Sequence, residues 1–167
     1  MNVLVAVASK HGSTHEIGES IADELRSANI AVDLKQPDEV MTLAPYDAII
    51  LGSGIYAGNW LPEAKGFAER FRAELAALPV WVFSSGPLGT DNPQPHDDPQ
   101  KLAAPLNGIA IRDHQIFVGK LERSNLGLAE RMIAKVVGAP EGDFRDWNVI
   151  RAWARDIATT LIASIPA

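Results

Sequence analysis

The chain has 167 residues, 15 basic against 21 acidic for a net charge of −6, 47% apolar residues and no cysteine. Its length suits one domain, its apolar fraction excludes disorder, and no run approaches the ~20 apolar residues of a membrane span. The acidic balance speaks against nucleic acid, and without cysteine there are no disulfides, thiolate nucleophiles or iron–sulfur clusters, so redox chemistry must come from a bound cofactor.

Residues 2–8 hold the run Val-Leu-Val-Ala-Val, which predicts a strand buried on both faces of a parallel sheet. A polar loop follows. Ser13 and Glu16 then stand three apart as a capping box, and Ile17, Ile21, Leu25 and Ala28 recur at helical spacing, predicting a helix over 14–28. Ile30 to Leu34 and Asp47 to Gly52 read as the second and third strands. Pro62 opens a helix running to about Ala77, because a missing N–H is tolerated at the first helical position. Val80 to Phe83 is a fourth strand.

The stretch 86–100 is acidic, with Asp91, Asp97 and Asp98, and prolines 87, 93, 95, 99 and 105 crowd in and just after it. Loops of that length are usually functional or mobile. Asp98-Pro99 caps a short helix over about 99–107. Ile116 to Val118 is the fifth strand, and 122–137 and 146–164 are the last two helices. Residues 1–167 show no repeat and no linker, so a single domain is expected. Alternating strands and helices predict a three-layer α/β sandwich. Its five-stranded parallel sheet takes the order 2-1-3-4-5, with helices on both faces.

In such sheets ligands bind outside the carboxyl ends of the strands. Three loops meet that rule. In the first, Ser9-Lys10-His11-Gly12-Ser13-Thr14, hydroxyls and backbone N–H groups at a helix start can surround a phosphate; the plainer reading is a capped helix start. It is neither a Walker motif nor a GxGxxG fingerprint. The second is Ser53-Gly54-Ile55-Tyr56-Ala57-Gly58-Asn59-Trp60. Its glycines let backbone approach a flat ligand, and Tyr56, nearer the strand end, is the better stacking aromatic; Trp60 can instead pack under its own helix. The third, Ser84-Ser85-Gly86-Pro87-Leu88-Gly89, repeats glycine and hydroxyl.

Other groupings carry less. His11 and His15 stand i, i+4, but no third ligand accompanies them, so no metal is expected. No Ser/His/Asp triad emerges, and no catalytic acid or base is assigned. Residues 122–137 carry more basic than acidic groups beside an apolar stripe. That pattern suits a core-facing helix, or a peripheral membrane contact.

The segments SKHGSTHEIGESIADEL, YDAIILGSGIYAGNWLPEAKGFAERF, RDHQIFVGKLE and GDFRDWNVIRAWARDIA together resemble flavodoxins. The resemblance runs most closely to the flavodoxin-domain branch that includes the menaquinone-dependent protoporphyrinogen IX dehydrogenases. It implies one non-covalent FMN, with Ser9 to Thr14 on its phosphate. Residues 53–60 and 84–90 would flank the isoalloxazine, with Tyr56 or Trp60 against a face. It further implies an FMN-dependent oxidoreductase working with a redox protein or a quinone. An electron carrier without a small-molecule substrate, or a flavin-free binding domain, remain the alternatives. A cytoplasmic location is expected, and an exposed face on 122–137 could serve a homodimer.

Overall fold

In the computed structural model, which describes residues 1–86, 99–136 and 141–164, the chain begins with β1 (Asn2–Ala8), α1 (Ser13–Ser27), β2 (Ala31–Lys35), β3 (Ala48–Tyr56) and a short β4 (Asn59–Trp60). There follow α2 (Pro62–Arg70), α3 (Arg72–Ala77), β5 (Val80–Ser85), α4 (Pro99–Leu102) and β6 (Ile111–Phe117). The chain closes with β7 (Lys120–Leu121), α5 (Leu128–Val136), β8 (Gly142–Asp143) and α6 (Trp147–Ala163).

The long strands pair in parallel in the order β2-β1-β3-β5-β6, while β4 folds back antiparallel on the end of β3. Counted by long strands alone, this is the expected order 2-1-3-4-5. Side chains alternate between faces along a strand, and here both faces are covered. On one face, Val3, Val5, Val7, Ile50 and Phe83 meet Ile17, Ile21 and Leu25 of α1 and Ile150, Trp153 and Ile157 of α6. On the other, Leu4, Ile49, Leu51 and Val82 meet Phe67 of α2, Phe71 between the helices and Leu75 of α3. No described helix is long and apolar enough to cross a membrane.

The order reverses between β1 and β3, which opens a crevice at their carboxyl ends. Gly52 sits just below it. A Cβ there would lie 2.1 Å from Cζ of Phe83, whose ring is fully buried. Gly52→Ala should therefore cost about 2 kcal/mol of stability through overpacking, read as a lower urea midpoint.

Four expectations are corrected. The fifth strand begins at Ile111 rather than Ile116, because its polar residues are partnered inside the fold. Trp153 Nε1 donates to Asp113 Oδ2 at 2.6 Å, and Gln115 Nε2 donates to the same oxygen at 3.1 Å. The helix over 62–77 breaks at Phe71, whose φ of −108° and ψ of 22° leave the helical region. The helix over 122–137 is a 3-10 turn at Arg123–Asn125 followed by α5; Glu130 turns back to accept the Gly127 N–H at 2.9 Å and so defines the helix start. The Ser13/Glu16 capping box does not form. Gly12, at φ +88°, is the N-cap residue, and Glu16 is drawn away to Arg145.

Candidate functional site

The 9–14 loop is shaped by its own backbone. Ser9 Oγ accepts the Gly12 N–H at 3.1 Å, and Glu16 N–H closes the first helical bond on the Gly12 carbonyl at 3.0 Å. Gly12 has a positive φ that a Cβ would strain, and open space around it. No side chain caps α1. The first-turn N–H groups have no partner within a helix, and Ser13 and Thr14 of that turn line the crevice. Thr14 is buried and packs against the carboxyl end of β3, where a Cβ on Gly54 would stand 3.2 Å from its Oγ1.

The second segment is not the loop expected over 53–60. β3 continues to Tyr56, turns at Ala57 (φ 49°) and Gly58 (φ 72°), and returns as β4, with Tyr56 opposite Asn59 and Ile55 opposite Trp60. Two positive φ angles match the two-residue turn that strand twist favours. Asn59 Nδ2 braces the turn by donating to the Ala57 carbonyl at 3.0 Å. Tyr56 is 43% exposed and edges the crevice, whereas Trp60 is 2% exposed and lies beneath it. Ser53 is buried too, its Oγ accepting the Leu61 N–H at 3.0 Å.

Under the crevice, Trp60 Nε1 donates to Ser84 Oγ at 2.8 Å, and Ser84 Oγ lies 2.8 Å from His114 Nε2. An indole N–H only donates, so Ser84 accepts from it, and the same hydroxyl is hydrogen-bonded to the imidazole. Ser84 therefore serves as support rather than ligand. Burial pushes the His114 imidazole below its ordinary value, against a smaller opposing pull from Asp113. The fold thus holds His114 neutral, while the unfolded chain protonates near the ordinary ~6.5. This contribution to stability is complete above that range and is lost as pH falls through it toward the depressed folded value. The urea midpoint should fall between pH 7.5 and 5.5, and His114→Gln should flatten part of that slope.

Ser85 and Gly86 line the crevice. Gly86 N–H bonds weakly to the Phe117 carbonyl at 3.4 Å, and a Cβ on the facing Gly119 would come 3.1 Å from Gly86 Cα. Pro87, Leu88 and Gly89 lie outside the described residues.

Loops 9–14, 54–56 and 85–86 therefore meet at one cavity of about 160 Å³. Ala57, Gly58 and Asn59 form the turn after Tyr56, and the buried Ser53, Trp60 and Ser84 do not line the cavity. Sequence reasoning missed a fourth wall, Gly119 to Leu121 with Leu126. These residues follow β6, the one long strand whose polar composition hid its length. It also missed Arg145, whose Nη1 donates to the Ser13 carbonyl at 3.0 Å and to Glu16 Oε2 at 2.7 Å. Arg145 holds the first turn of α1 from behind.

The charges at the mouth are paired. Lys10 forms an ion pair with Glu130 and lies over the Tyr56 ring, 4.0 Å from its centroid, while His11 Nε2 is 3.4 Å from the same carboxylate. The Lys10 ammonium, with the Gly127 N–H, holds the Glu130 carboxyl down to about 2. Among the described residues no cluster of three metal-ligating side chains occurs.

Residues 4–148 match the family described as "Flavodoxin domain". The chain belongs to the flavodoxin-domain family. Solved structures agree in fold. A flavodoxin from the domain Archaea is 16% identical with a TM-score of 0.65, over 97% of this chain and 99% of that one. Oxidised flavodoxin 1 from Bacillus cereus is 15% identical with a TM-score of 0.61, over 99% and 100%. The rubredoxin oxygen:oxidoreductase of Desulfovibrio gigas is 16% identical with a TM-score of 0.68, but this chain spans only 37% of it. No curated protein sequence matches the chain. Membership in this flavodoxin family implies FMN as the cofactor. The donor set fits: hydroxyls and an uncapped helix start suit a phosphate, and glycine-lined walls below an exposed tyrosine suit a flat ring.

Proposed function

We propose that this flavodoxin-family chain holds one FMN non-covalently in the crevice and carries electrons between redox partners. The observation that carries the reading is the meeting of the 9–14 loop, Gly54–Tyr56 and Ser85–Gly86 at the point where the strand order reverses. When bound, the flavin supplies the redox chemistry that a chain without cysteine lacks. The protein's part is binding and orientation. Ser9, Ser13, Thr14 and the first-turn N–H groups of α1 take the phosphate. Gly54, Gly86 and Gly119 admit a ring close to backbone, and Tyr56 offers it a face. The acidic surface steers the protein toward basic redox partners.

Titrating the apoprotein with FMN tests this reading. Saturable quenching of flavin fluorescence at one flavin per chain supports it, and no quenching at micromolar protein overturns it.

A second reading, a quinone-linked oxidoreductase of the protoporphyrinogen dehydrogenase type, draws support from α5. Leu126 lines the crevice, and just beyond it Leu128 and Met132 are 84% and 70% exposed. Those residues give an apolar acceptor a place beside the site. Reoxidation of the reduced holoprotein by a soluble quinone, faster than by a one-electron protein acceptor, favours this second reading. The reverse order favours the carrier.

A further inference from the structure

We propose that Glu130 is an internal anion of the phosphate loop, and that it sets how strongly the site prefers a phosphorylated ligand over the same ligand without its phosphate. The inference rests on the flavin reading for its ligand, and on geometry for its residue.

The 9–14 loop carries two basic side chains, Lys10 and His11. Both are turned toward a single carboxylate that arrives from a distant helix. Glu130 pairs with Lys10, lies 3.4 Å from His11 Nε2, and also accepts the Gly127 N–H at 2.9 Å. The carboxylate is thus held at the mouth of the crevice by the Lys10 ammonium and the Gly127 N–H, with the His11 imidazole beside it. It stands where a phosphate would seek the same Lys10 ammonium.

Lys10 is engaged twice. Its ammonium lies over the Tyr56 ring, on an aromatic that a flat ring would otherwise share. The free space left is about 160 Å³, below the ~300–1,000 Å³ of ordinary ligand pockets. A phosphorylated flavin must therefore draw Lys10 off Tyr56 and displace or repel Glu130, because two anions cannot share one ammonium without cost. An unphosphorylated flavin disturbs Lys10 on Tyr56 but does not compete with the carboxylate. The penalty from Glu130 falls on the phosphate alone.

The test uses Glu130→Gln, whose amide oxygen still accepts the Gly127 N–H and so keeps the start of α5. FMN and riboflavin are titrated into wild type and variant by fluorescence quenching. FMN affinity should rise about tenfold while riboflavin affinity stays within about twofold, because only the charge has been removed. A merely structural role would move both ligands together, so an unchanged ratio of the two affinities overturns the inference.

Inorganic phosphate, followed by the His11 imidazole resonance, separates this inference from the flavin reading. Should neither flavin bind either protein, the flavin reading falls. Tighter phosphate binding to the variant than to wild type then still supports the internal anion, and equal or absent phosphate binding overturns it.

Discussion

Thr14→Glu should abolish FMN binding. Thr14 is buried at the first turn of α1, with its hydroxyl against the carboxyl end of β3 at Gly54. A glutamate there replaces a donor with a carboxylate and a longer side chain at a residue that lines the crevice. Charge repulsion and lost N–H contacts act together, so affinity should fall by about a hundredfold or more. Thr14→Ser keeps the hydroxyl and should stay within about threefold of wild type, since the charge-assisted bond survives. Fluorescence quenching gives both constants, and far-ultraviolet circular dichroism confirms that the glutamate variant is folded. A folded Thr14→Glu protein with wild-type affinity would remove the phosphate from the 9–14 loop.

The parts of this site legible in the sequence are those whose physics is local. The apolar runs at 3–7, 48–51 and 80–83 stand out because a parallel strand buried on both faces has no reason to alternate. Their carboxyl ends then locate three loops without further information. β6 escaped because it is an edge strand. Asp113 and His114 are tolerated in it only by virtue of Trp153 and Ser84, which no local pattern announces. The hairpin after Tyr56 escaped because Ala57 occupies a left-handed position that asparagine or glycine would have signalled. Trp60 stood open between a ring face and the core, and its exposure of 2% places it under the crevice. Lys10 was read as part of a phosphate loop, but its pairing with Glu130 depends on how α5 packs over the mouth. That is a tertiary fact with no periodicity behind it. Arg145 belongs to the same class: its partners Ser13 and Glu16 lie at the other end of the chain.

Arg145→Met should lower the stability of the protein by about 1–2 kcal/mol, because it removes a buried guanidinium from two half-exposed carboxylates and from the Ser13 carbonyl. The Arg145 side chain is 2% exposed. Its Nη2 donates to Asp143 Oδ2 at 2.6 Å and its Nε to Asp143 Oδ1 at 2.8 Å, while Nη1 joins Ser13 and Glu16 of α1. The guanidinium also lies over Trp147, 4.5 Å from the ring centroid. One planar group therefore ties β8, the start of α6 and the first turn of α1 together. Methionine fills the stem volume but leaves the Ser13 carbonyl without this donor. Arg145→Lys should recover only part of the loss, since a point charge cannot chelate Asp143 and reach Glu16 as a fork does. Hydrogen bonds from Arg145 hold the Asp143 carboxyl below its ordinary value. The stability this provides is present above the ordinary carboxylate range and is lost as pH falls through the lowered folded value. The gap between wild type and Arg145→Met, measured by urea unfolding, should accordingly be full at pH 7 and narrow in strong acid. Because the same guanidinium sets the Ser13 carbonyl behind the 9–14 loop, Arg145→Met should also weaken FMN binding at pH 7, where the variant remains folded. Loss of stability with unchanged FMN affinity would separate the junction from the site and leave Arg145 a purely structural tie.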